Sequence, residues 1–205
     1  MDDADRNARD TPVVPTPSDA APLPRVAFQG EPGAFSEVAI RTEWPAGAIA
    51  IPCRTFTDLV DAVLDGHADF GVVPIANVIA GPVAAALAAL DAAATRVRRL
   101  GEVTIPVHHC LMAPPGATLA GLHTVHSHQM ALAQCRIFFA RHPWLTPAEH
   151  DDTAGAARDV AACGDRQHAA IASRAAAERY ALEVLASGIQ DHAGNFTHFT
   201  IIRAS

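Results

Sequence analysis

Short apolar runs rich in β-branched residues alternate along this chain with stretches of helical spacing, and the alternation starts afresh halfway. Val26 to Phe28 read as a short strand, the Gly30 to Gly33 stretch as a turn, and Ala34 onward as a helix. "AIAIPC" is a second strand. It is followed by "TFTDLVDAVLDG", where Phe56, Leu59, Val60 and Val63 recur on one helix face. "HADFGVVPI" is a buried strand ending in the loop "ANVIAG", after which Pro82 is expected to open the helix "PVAAALAALDAA" at a position where its missing N–H is harmless. Beyond "GEVTIPVHHCLMAPPG" the pattern restarts. "LHTVHS" is a strand and Ser127 the expected N-cap of "HQMALAQCRIFFARH"; Thr153 is the expected N-cap of "TAGAARDVAACG", and Ser173, closing the strand "HAAIAS", that of "RAAAERYAL". "EVLASGI" and "FTHFTIIRA" come last.

Two such alternations, over about 25–103 and 109–180, predict an α/β fold with two lobes. The division expected is a disordered, Pro- and Asp-rich tail over 1–24, lobes over about 25–104 and 105–190, and a segment 191–205 that completes the return crossing. Crossings near Ile105–Cys110 and Asp191–Phe199 would line a cleft between the lobes. Ligands of open α/β sheets settle beyond the C-terminal ends of strands, where loops and helix N-termini offer unpaired amides. The loops after Phe28, Pro74, Val125, Asp151, Ala172 and Asp191 are therefore the places to look.

Charge narrows the ligand class. Lys and Arg number 15 against 22 Asp and Glu, a formal charge of -7, which argues against nucleic acid or an anionic membrane as partner. A small anionic ligand held by local amides remains compatible with that balance. Cys53, Cys110, Cys135 and Cys163 form no CxxC pair and read as free thiols. The first ten residues are acidic, with no apolar run behind them, and Asp91 and Arg96 interrupt the Ala-rich stretch, so neither a secretory signal nor a membrane span is expected. A cytoplasmic location is the working expectation. The eleven histidines include no spacing that fixes a metal geometry, and no metal is expected.

Ser127 is either a simple cap or a cap that also touches ligand; without a G-x-S-x-G it does not read as a nucleophile. Thr153 in Asp152–Thr153–Ala154 carries the same two readings. Near the C-terminus, "GNFTHF" places Asn195 and Thr197 on one face of a regular strand and His198 on the other. A threonine hydroxyl is too weak an acid to protonate a poor leaving group unaided, but it serves where departure has strong driving force of its own, such as aromatisation.

The segments "VAFQGEPGAFSEVA", "FTDLVDAVLDGHADFGVVPIAN", "IPVHHCLMAPPG", "SHQMALAQC", "DDTAGAA", "AAIAS" and "IQDHAGNFTHF" together resemble the catalytic domain of the prephenate dehydratase family. The resemblance implies a two-lobed α/β fold similar to type II periplasmic binding proteins. It also implies a cofactor-free lyase that converts prephenate to phenylpyruvate with loss of water and carbon dioxide. The family's Thr-Arg-Phe falls on Thr197, His198 and Phe199, which makes Thr197 the general acid. Asn77, Ser127, His128, Asp152, Thr153, Ala154, Asn195, His198 and Phe199 are placed by the resemblance near substrate.

The chain departs from the family pattern at Ala76–Asn77–Val78, where Glu-Asn-Ser is usual, at Gln129–Met130, and at His198, where an arginine would clamp a carboxylate. Imidazolium at His198, His109 or His128 is one expected substitute. Three readings follow: a dehydratase of prephenate or a close cyclohexadienyl relative; a non-aromatising prephenate decarboxylase or isomerase; and a non-catalytic small-anion binder. With the chain ending at Ser205, no regulatory domain and no feedback through one are expected, and the Ala-rich helices suit a homodimer interface.

Overall fold

The computed structural model describes residues 22–205; residues 1–21, and with them most of the expected tail, lie outside the described residues. The first sheet holds β1 (Arg25–Gln29), β2 (Ile49–Cys53), β3 (Phe70–Asn77), the two-residue β4 (Gly81–Pro82), β5 (Val97–Pro106) and the last strand, β11 (Phe196–Ala204). Its order is β2-β1-β3-β11-β5, with β4 paired to β3. The second sheet holds β6 (Cys110–Ala113), β7 (Thr124–Ser127), β8 (Thr146–Glu149), β9 (His168–Ala172) and β10 (Glu183–Ser187), in the order β10-β6-β9-β7-β8. The chain passes between sheets over 107–109 and 188–195. The two passages run side by side: Val107 N–H donates to the Asn195 carbonyl at 2.8 Å and Ile189 N–H to the His109 carbonyl at 3.2 Å.

Alternation within the strands builds a core on both faces of each sheet. In β1, Val26 and Phe28 pack with Ile40 of α1 (Phe35–Glu43), while Ala27 packs with Leu59, Val60 and Val63 of α2 (Phe56–Leu64) and Leu90 of α3 (Ala84–Ala92). The start of α2 is held by a reciprocal cap in which the Thr55 hydroxyl accepts from Asp58 N–H and the Asp58 carboxylate from Thr55 N–H. In the second lobe, Leu111, Val125 and Ile171 meet Phe138 of α5 (Arg136–Arg141). On the other face, the alanines of α6 (Thr153–Cys163) and α7 (Arg174–Tyr180) let both helices lie close to β9.

Several local expectations are corrected. Pro82 does not open α3; it pairs with Ala76 in β4, and Val83 is the N-cap. The long helix expected after Ser127 is broken into α4 (Gln129–Ala133) and α5. Its cap is His128, whose Nδ1 accepts from Met130 N–H, because the Ser127 hydroxyl instead donates to the Ile171 carbonyl at 2.6 Å. Asp152, not Thr153, caps α6, accepting from Gly155 N–H at 2.6 Å. Ser173 caps α7 as expected.

The lobes are latched by the loop after β1. Gly33, at φ +91°, lies so close to α7 that a Cβ would fall 2.7 Å from the Ala176 Cα. The Ser173 hydroxyl donates to the Gly33 carbonyl at 2.5 Å and the Tyr180 hydroxyl to that of Pro32 at 2.8 Å. Only glycine fits both the left-handed backbone and the contact.

Candidate active site

The register of β3 and β11 sets Thr197 opposite Asn77, at the end of the first sheet that faces the second lobe. Asn77 has a fixed orientation, since its Oδ1 accepts from the N–H groups of Ile79 and Ala80 at 3.0 and 2.8 Å. Its amide group therefore points at three oxygens: Asn195 Oδ1 at 2.7 Å, the Phe196 carbonyl at 3.0 Å and Thr197 Oγ1 at 3.0 Å. The order propagates. Asn195, fully buried, turns its own amide to Gln134 Oε1 at 2.9 Å, and the same oxygen accepts from His109 Nε2 at 2.9 Å. His109 must then carry its proton on Nε2, and its buried Nδ1 has no partner among the described residues. Burial pushes the His109 pKa below its ordinary value, against the hydrogen bond to Gln134, so the ring is neutral near pH 7.

This network backs a cleft of about 390 Å³ whose wall includes Asn77, His109, His128, Gln134, Thr153 and Thr197. Asp151 and Asp152 also face it, and no arginine or lysine does among the described residues. Thr197 Oγ1 receives a hydrogen bond from Asn77 and gives none among the described residues, so its proton is unspent and available to a ligand. Donation from Asn77 also stabilises negative charge on that oxygen, which makes the hydroxyl a better acid.

Of the residues expected near substrate, Asn77, His128, Asp152, Thr153 and Thr197 line the cleft, and Asn195 lies directly behind it. The others do not reach it. Ser127 and Ala154 are fully buried, the first committed to Ile171 and the second packed in the α6 core. Phe199 is core beside Val103 and Ile105. His198, alternating with Thr197, turns to the other side of the sheet, where its Nδ1 meets Thr104 Oγ1 at 2.8 Å. Neither His198 nor buried, neutral His109 supplies the cation expected in place of the arginine. Gln134 was missed because "ALAQC" reads as ordinary helix; its only signal was that it lies inside a segment carrying the family resemblance. Gln29, Phe35, Val107 and Met130 were likewise not singled out as wall residues. Among the described residues no cluster of three His, Cys, Asp or Glu is arranged to hold a metal.

Two α/β lobes, crossed twice by the chain and flanking a cleft with a donor hydroxyl in its wall, define a two-lobed cleft protein. More particularly, the chain belongs to the prephenate dehydratase family, whose model matches residues 26–205. Arogenate dehydratase 1 of Petunia hybrida is 42% identical over 193 residues, covering 94% of this chain and 45% of that protein. A bifunctional N-acyl-homoserine lactone acylase/prephenate dehydratase of Komagataeibacter europaeus is 39% identical over 176 residues, covering 86% of this chain and 61% of that one. The crystal structure of prephenate dehydratase from Arthrobacter aurescens in complex with L-Phe superposes with a TM-score of 0.79 at 31% identity, over 88% of this chain and 60% of that one. The chain thus spans about half the length of the curated relatives it matches.

Proposed function

We propose that the protein is a carbon–oxygen lyase that aromatises prephenate, or its amino counterpart arogenate, with loss of water and carbon dioxide. The carrying observation is Thr197 in the cleft wall, whose hydroxyl accepts from Asn77 and finds no acceptor for its own proton among the described residues. As the ring carboxylate leaves as carbon dioxide, its bonding electrons enter the ring and expel the hydroxyl at the opposite carbon. That oxygen takes the Thr197 proton and departs as water; solvent returns a proton to Thr197. Asn77 steadies the transient charge on Oγ1, and Asn195 and Gln134 hold Asn77 in place. The driving force of aromatisation is what lets so weak an acid suffice.

The absence of Arg and Lys from the cleft wall among the described residues, together with Asp151 and Asp152 in it, favours arogenate, whose ammonium offsets one carboxylate, over the dianion prephenate. The 42% identity to a protein named arogenate dehydratase supports the same choice. No described helix is long and apolar enough to cross a membrane, and all four cysteines are free; a cytoplasmic location and a homodimer belong to this proposal.

Purified protein incubated with each substrate and followed by proton NMR is expected to convert dienyl to aromatic ring protons. Thr197→Val should slow this by about 10²–10⁴-fold. Dienyl products would replace the reading with a non-aromatising decarboxylase or isomerase, and binding without turnover would replace it with a small-anion binder.

A further inference from the structure

Beside the cleft lies a second, polar cavity of about 510 Å³, and Gln29, Asp151 and Asp152 line both. Most of its charged groups are already committed. Arg158 is held by Glu31 at 2.6 Å and Asp159 at 2.8 Å, and Asp152 caps α6. Two groups are left over. Arg54, just past β2 in the first lobe, and Asp151, just before α6 in the second, are exposed and enter no ion pair among the described residues, with each other or with any other group. The Arg54 loop is tied to the cleft wall by Gln29, whose Nε2 donates to the Arg54 carbonyl at 3.4 Å.

One unspent cation and one unspent anion thus stand in the same cavity on opposite lobes, next to the space where Thr197 presents its proton. We propose that this cavity reads the zwitterionic head of an α-amino acid substrate, with Arg54 taking the carboxylate and Asp151 the ammonium while the ring lies against Thr197. The assignment rests on the lyase reading above and adds to it the residues that select an amino over a keto side chain. A guanidinium fork matches a planar carboxylate, and an ammonium brings donors to an acceptor-only aspartate. A keto acid offers Asp151 no donor and brings its own carboxylate toward a like charge.

The test is titration calorimetry of arogenate and of prephenate into Thr197→Val, where neither ligand is consumed, with and without Asp151→Asn or Arg54→Gln. The same ratio is measured as kcat/KM in otherwise wild-type protein, so that a misfolded Thr197 variant does not block the answer. Arogenate should bind at least about 10-fold tighter than prephenate, and Asp151→Asn should shrink that ratio about 10-fold by weakening arogenate and tightening prephenate. Arg54→Gln should weaken both ligands. An unchanged ratio in Asp151→Asn overturns the assignment and leaves the lyase reading intact if either substrate turns over. A ratio that depends on Asp151 without any turnover overturns the lyase reading and leaves the head-group assignment intact.

Discussion

Replacing Gln134 with leucine removes one oxygen on which two buried donors depend. Asn195 is fully buried and His109 only 3% exposed, and both reach Gln134 Oε1 at 2.9 Å. Both donors are buried, and His109 already leaves Nδ1 without a partner among the described residues. At about 1–3 kcal/mol for each stranded donor, the loss is about 2–6 kcal/mol. In a domain of this size, at about 2–4 °C per kcal/mol, that lowers the unfolding midpoint by about 4–24 °C. Turnover should fall too, by about 10-fold or more at temperatures where the variant is still folded, because Asn195 steadies Asn77 and Asn77 aims Thr197. Gln134→Glu keeps an acceptor for both donors and should lose less than half as much stability. Thermal unfolding by circular dichroism, paired with initial rates, reads both effects. A leucine variant melting within about 2 °C of the parent, with undiminished rate, would refute the chain of hydrogen bonds as the support of Thr197.

Gly33→Ala should destabilise by about 2–4 kcal/mol, since it strains a φ of +91° and drives a Cβ to 2.7 Å from the Ala176 backbone; chemical denaturation measures it. Because burial lowers the His109 pKa, the unfolded chain takes up a proton near 6.5 that the folded chain refuses, so stability is lost as pH falls through that value. His109→Gln should flatten the fall in unfolding midpoint between about pH 7.5 and 5.5, with His126, lowered by burial and by His168, accounting for part of what remains. Alkylation at about pH 8 followed by mass spectrometry should find exposed Cys163 labelled first and Cys135, whose thiol burial pushes up to about 12, among the last.

The two-lobed plan was legible because strand and helix periods are local properties; the crossings themselves lie at 107–109 and 188–195, whereas the return was expected over Asp191–Phe199, whose last four residues belong to β11. Capping was harder. Ser127 and Asp152 each sit next to another residue able to cap, and in the first case the choice was made by a partner far along the chain, the Ile171 carbonyl. His198 shows the limit of carrying a motif over by position: the strand's alternation gave its side from sequence alone, yet the motif suggested a ligand contact that this side does not allow. Gln134 was illegible for a different reason, since its role exists only where both crossings meet the break between α4 and α5.

The last strand lies inside the first sheet, between β3 and β5. The first sheet, begun at residue 25, consequently keeps an open seam until residues 196–204 have been made. Nascent chains stalled before that point should expose the flanks of β3 and β5 to chaperones or to one another, whereas the second lobe, continuous in sequence, can close on its own schedule.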